Sequence, residues 1–293
     1  MSSNKQTTCG WVGYAAAAAV AMTMLAPARA QVFLVNTPAP AAAPAPPTAS
    51  PAATTPANVA GFACSAPAEF THLNYPLRHT ARRLAGGKPL TIVAIGSSST
   101  AGAGASSAAA SYPSRLAVEL RLRFPTHDIS VLNRGVNGET TEQMLARFET
   151  AVLAEHPDLV LWQVGTNSVL RDRPLKPHSV LLHEGVEQLK EAGADVVLID
   201  MQFAPRVLAK SETPDMEDQI ALAAKDESVD LFRRFAVMRD WHEVQHIPFD
   251  VFVGADALHM NDWGYACVAK LLAAGIAEAA TRPIAAAATR SAR

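Results

Sequence analysis

Leu90-Thr91-Ile92-Val93-Ala94-Ile95-Gly96-Ser97-Ser98-Ser99-Thr100 is the stretch on which the fold turns. Its first half is apolar or β-branched at successive positions rather than alternate ones, the pattern of a strand covered on both faces. A glycine ends the run, and a cluster of hydroxyl side chains follows. In an open parallel sheet, groups just past the carboxyl end of a strand are the ones placed to meet a ligand.

Working outward, Ile129–Leu132, Leu159–Val164, Val196–Ile199 and Val229–Phe232 read as further strands. Helical patterns separate them. Pro113, Leu116, Ala117, Leu120 and Phe124 share one helical face, and Arg115 and Glu119 are spaced to pair on another. Thr140 with Gln143 forms a capping box for a helix burying Met144, Leu145, Phe148 and Val152. More helices are expected over 178–192, 215–226, 233–242 and 262–279. Strands alternating with helices predict a three-layer α/β/α sandwich around a five-stranded parallel sheet.

Two other strand ends carry polar clusters, Asn133-Arg134-Gly135-Val136-Asn137-Gly138 and Val164-Gly165-Thr166-Asn167-Ser168. Asp256-Ala257-Leu258-His259 precedes the last helix. A serine hydroxyl is a weak nucleophile until a base takes its proton, and an Asp-x-x-His run supplies a base together with a group to orient it.

These four clusters, in this order between Leu90 and about Ala279, resemble the SGNH (GDSL-type) hydrolase family. The resemblance implies a flavodoxin-like sandwich and a carboxylic-ester hydrolase that works without metal or cofactor. It implies Ser98 as nucleophile, His259 as base and Asp256 behind the histidine. It also implies an oxyanion hole formed by the N–H of Ser98, the N–H of Gly138 and the side-chain amide of Asn167. Where the family most often has aspartate, this chain has Ser97. That leaves open how the nucleophile loop is braced, and leaves Ser97 and Ser99 as rival nucleophiles. Each cluster also has a purely structural reading: Gly138 as a positive-φ turn, Asn167 as a turn cap, and Asn261 or Asp262 as the N-cap of the last helix. Relatives of this kind include deacetylases of O-acetylated glycans, short-chain esterases and lipases. A glycan deacetylase is the leading expectation; an O-acyltransferase using the same acyl-enzyme and an inactive glycan-binding protein are the alternatives. The loops Met201–Pro214 and Trp241–Ala255 are expected to set specificity, and the small residues of Ala101–Ala110 suit a small acyl pocket.

Composition bounds the rest. The 293 residues are 49% hydrophobic and 18% charged, with a formal charge of -2. Such a balance offers no basic excess for nucleic acid. The spacings of a dinucleotide fingerprint, a phosphate loop, a GxSxG elbow and a zinc site are all missing. Residues 1–30 read as a secretory signal peptide, with an apolar run over Trp11–Leu25 and a small-x-small site at Ala28-Arg29-Ala30; an uncleaved anchor is the alternative. Residues 31–61 read as a Pro/Ala-rich linker, 62–281 as the hydrolase domain and 282–293 as a tail. Export to the periplasm or beyond follows from the signal, with no stable membrane insertion after cleavage. Cys64 and Cys267 are then a disulfide or two free thiols, because spacing alone cannot choose.

Overall fold

The computed structural model describes residues 61–283. The expected signal peptide, the linker up to residue 60 and the tail from residue 284 lie outside them. Five strands form one parallel sheet: β1 (Leu90–Gly96), β2 (Ile129–Gly135), β3 (Leu159–Gln163), β4 (Asp195–Ile199) and β5 (Asp230–Phe232), in the order β2-β1-β3-β4-β5. This is the flavodoxin-like order.

The unbroken apolar runs are explained by two cores. Leu90, Ile92 and Ala94 of β1 face one core with Leu159, Leu161, Val197 and Ile199. Val93 and Ile95 face the other with Val160, Trp162, Val196 and Leu198. Five helices of eight residues or more cover the sheet: α1 (Arg78–Ala85), α2 (Tyr112–Arg123), α3 (Leu175–Glu191), α4 (Thr213–Asp226) and α5 (Asp262–Thr281). Residues of α1, α2 and α5 fill the first core, and those of α3 and α4 the second. In β1, β3 and β4 almost every side chain thus leaves water whichever way it points, whereas the edge strand β2 is only half-buried beyond Ile129.

Two local expectations are corrected. Glu119 pairs with Arg123 at 2.6 Å, not with Arg115, so the i,i+4 partner lies one turn further on. The helix expected after Thr140 has its capping box but breaks into Thr141–Leu145, Phe148–Ala151 and a 3-10 turn over Leu153–Glu155. Met144, Phe148 and Val152 are still buried. Arg147, at the break, turns its side chain to Glu139.

Cys64 and Cys267 form a disulfide, with Cα atoms 5.4 Å apart, joining the start of the described chain to α5. Among the described residues no helix is long and apolar enough to cross a membrane.

Candidate active site

The order β2-β1-β3 sends the chain to opposite sides of β1, which opens a crevice at the carboxyl ends of β1 and β3. Ser98 sits there, at the start of a short helix Ser98–Ala101 that begins two residues beyond β1. An N–H in a first helical turn has no intrahelical acceptor, so that of Ser98 is unclaimed by its own helix.

His259 reaches the serine across the chain. The Ser98 hydroxyl donates to His259 Nε2 at 2.8 Å, and His259 Nδ1–H donates to Asp256 Oδ2. A carboxylate only accepts, so the proton belongs on Nδ1 and Nε2 is left as the acceptor. Asp256 Oδ1 accepts the backbone N–H of Leu258 at 3.0 Å and of His259 at 2.9 Å. Partial burial pushes the Asp256 carboxyl up, but these hydrogen bonds together outweigh it and hold the group below the usual carboxylate range. The curl costs backbone strain at Ala257, whose φ is +58. Its position is secured by a bridge between Val253 and Met260 and by the Gly254 N–H on His259 O at 2.7 Å.

Gly104 lets this loop approach the nucleophile. Its φ is +86, and a Cβ there would stand 2.5 Å from Met260 O and 2.9 Å from His259 Cβ. The 102–106 segment is also tied to α5, where the Tyr265 hydroxyl donates to Ala103 O at 2.6 Å and Asp262 accepts from Ser106. Asn261 is the N-cap of α5, accepting from the Gly264 N–H at 3.1 Å.

The rival serines are engaged elsewhere. Ser97 and Ser99 are each only 1% exposed. The N–H and the hydroxyl of Ser97 both donate to Gln163 Oε1, each at 3.0 Å. The Ser99 hydroxyl points to Gln202 Oε1 at 3.4 Å. Gln163, the last residue of β3, therefore braces the loop that Ser97 left in question. Asn133, in β2, adds a second brace by donating to Thr100 O at 2.8 Å.

Gly138 and Asn167 meet on the neighbouring rim. Gly138 has φ +80, and the Asn167 side-chain amide donates one hydrogen to Glu139 O at 2.9 Å. A primary amide has two N–H groups, so the second stays available. The turn is held by charge: Arg147 Nε donates to both oxygens of Glu139 at 2.9 Å, and Arg171 donates to Gly138 O at 2.6 Å.

Beside Asp256 lies a groove of about 760 Å³ lined by Gly104, Pro205, Phe249, Asp250 and the 253–257 segment, among others. Both loops named from the sequence contribute to it, but unequally. Met201–Ala204 is buried core rather than rim, and only Pro205 of that loop lines the groove. Among the described residues no group of three or more His, Cys, Asp or Glu side chains is placed to hold a metal ion.

Gln163, Gln202, Glu139 and Arg147 were missed in the sequence. One signal was there: Gln163 closes the otherwise apolar run Leu159-Val160-Leu161-Trp162, and a polar residue ending a buried strand needs partners.

The chain is 35% identical over 78 residues to an arylesterase of Vibrio mimicus, a match covering 27% of this chain and 39% of the relative. Its fold is similar to that of a two-domain esterase (CEX) active on acetylated mannans, with a TM-score of 0.62 and 20% identity. That likeness covers 73% of this chain and 56% of the esterase. It is also similar to Axe2, an acetylxylan esterase from Geobacillus stearothermophilus, with a TM-score of 0.51 and 19% identity over 64% of this chain and 94% of that one. Residues 63–282 match the Non-GDSL lipase-like family, a description that agrees with serine rather than aspartate before Ser98, and the chain belongs to that family.

Proposed function

We propose that this protein is an exported carboxylic-ester hydrolase of SGNH type that removes acetyl groups from O-acetylated glycans through a Ser98 acyl-enzyme. The observation that carries it is the Ser98 hydroxyl 2.8 Å from His259 Nε2, with the other ring nitrogen on Asp256. Ser98 Oγ attacks the ester carbonyl carbon while His259 Nε2 takes its proton. The carbonyl oxygen becomes an oxyanion facing the N–H of Ser98, the N–H of Gly138 and the free N–H of the Asn167 amide. Collapse expels the alcohol, which takes the proton back from the imidazolium, and water then repeats the sequence to release the acid. Asp256 keeps the imidazole in the right tautomer and stabilises its charged form.

The arylesterase relative and the acetylated-mannan and acetylxylan esterases of similar fold support ester hydrolysis and a glycan acetyl substrate. The Cys64–Cys267 bridge supports export, since such bonds persist in oxidising compartments. A fluorophosphonate probe tests the nucleophile: one adduct per wild-type chain, none on Ser98→Ala, and full labelling of Ser99→Ala. An adduct on Ser98→Ala overturns the assignment. Acetyl and long-chain p-nitrophenyl esters test the substrate class; a preference for chains longer than octanoate overturns the deacetylase reading.

A further inference from the structure

Gln202 lies three residues beyond β4 and is fully buried (0% exposed), and the ester-hydrolysis chemistry above makes no use of it. Its amide touches several separate segments of chain. Oε1 accepts from Thr166 Oγ1 at 3.0 Å, from Arg234 Nη2 at 3.1 Å and, more weakly, from Ser99 Oγ at 3.4 Å. Nε2 donates to Leu258 O at 3.4 Å. Thr166 precedes Asn167, Ser99 follows Ser98 and Leu258 precedes His259. The orientation of the amide follows from chemistry: a guanidinium only donates, so the atom facing Arg234 is the oxygen and the atom facing the Leu258 carbonyl is the nitrogen.

Thr166 extends the connection. Its hydroxyl also accepts from Gln163 Nε2 at 3.4 Å, and Gln163 holds Ser97. Hydrogen bonds therefore run from Ser97 through Gln163, Thr166 and Gln202 to Ser99, starting and ending on the two neighbours of Ser98. Arg234 fixes this network to the core. It is itself fully buried, donates to Asp200 O at 2.5 Å, and lies opposite the Asp200 and Glu217 carboxyls. Burial and the neighbouring Asp200 charge push the Glu217 carboxyl well above the usual carboxylate range.

We propose that Gln202 is a positioning residue that holds the segments bearing Ser98, Asn167 and His259 in mutual register. This rests on the esterase reading. Reactions assembled from separate chain segments are sensitive to small offsets, with ~1 Å of misplacement costing on the order of 100-fold in rate.

The test uses the full chain with p-nitrophenyl acetate. Gln202→Leu removes every link and is expected to lower kcat about 10- to 100-fold with KM within about two-fold. Gln202→Glu keeps the acceptor facing Arg234 and Thr166 but loses the donor to Leu258, and is expected to lose less kcat. Should the leucine variant fail to fold, the glutamate variant decides the matter through the Leu258 link. Thr166→Val is expected to slow the wild type several-fold and the Gln202→Leu variant not at all, a coupling that a general loss of stability does not produce. Full kcat in folded Gln202 variants, or Thr166→Val and Gln202→Leu effects that simply multiply, overturns the inference while leaving the esterase reading intact. A wild type that neither hydrolyses esters nor labels at serine overturns both.

Discussion

The two halves of the candidate site lie on adjacent strand ends and are fastened by opposite means. Beneath Ser98 the ties are buried and mostly neutral: two glutamines, a threonine and the hydroxyls of Ser97 and Ser99, with the fully buried Arg234 as the one charge among them. Under Gly138 and Asn167 they are charged and partly open to water, through Glu139, Arg147 and Arg171. Buried amide hydrogen bonds are indifferent to salt and to ordinary pH, and are costly only if a partner is lost. Ion pairs near the surface are screened. The ties around Ser98 are therefore expected to be less sensitive to salt than those around Gly138 and Asn167.

The sharpest test of the oxyanion half is Asn167→Ala. Loss of one oxyanion donor costs about 2.7–4 kcal/mol, so kcat should fall roughly 10²–10³-fold while KM holds. Steady-state kinetics on an activated acetyl ester measure it, and unchanged kcat would remove Asn167 from the site.

A second test concerns His178 on α3, hydrogen-bonded to Thr141 just past the turn at 2.8 Å. Burial lowers its pKa from the ordinary value to about 4. A histidine kept neutral by burial stabilises the fold above its unfolded pKa and loses that contribution as pH falls toward the folded value. Between about pH 6.5 and 4 the wild type should lose on the order of 3 kcal/mol relative to His178→Gln. Burial raises Asp230 and Asp200 to about 6, and these act the other way, with stability lost as pH rises through that value. They are present in both proteins and cancel in the difference. Parallel Tm curves for the two proteins across this range would refute the idea.

The smallest expected effect is Arg147→Lys. A lysine cannot reproduce the fork that grips both Glu139 oxygens and Arg134 O. We expect kcat to drop about ten-fold, and the remaining activity to fall further as salt rises. Kinetics at low and high ionic strength check both. An equal salt response in Gln202→Leu would erase the contrast between the halves.

How much of this was legible in the sequence follows the same division. The sheet was plain because Leu90–Ile95 and its counterparts are apolar at successive rather than alternate positions, with few exceptions such as Thr91 and Ser130, as a two-sided core requires. The clusters that carry Ser98 and Asn167 were visible because they end such runs, and His259 because it closes an Asp-x-x-His run before the last helix; the structure brings Ser98, His259 and Asp256 into one hydrogen-bonded line. The braces were not legible. Gln202 follows Met201 in what reads as a variable loop, and nothing local announces that its amide will find Leu258 far along the chain. The Arg147 contact was hidden because a continuous helix was expected where the chain breaks. Pairings between distant polar residues depend on tertiary geometry, whereas apolar periodicity depends on neighbours.

The Cys64–Cys267 bond closes a covalent loop that encloses the whole sheet and all three catalytic candidates. A single protease cut anywhere between the two cysteines leaves one molecule rather than two fragments, so nicked protein should migrate as separate pieces only after reduction. Tension applied near residue 64 and on α5 would likewise pass through sulfur and bypass the hydrogen-bonded strands, leaving Ser98 and His259 out of the load path.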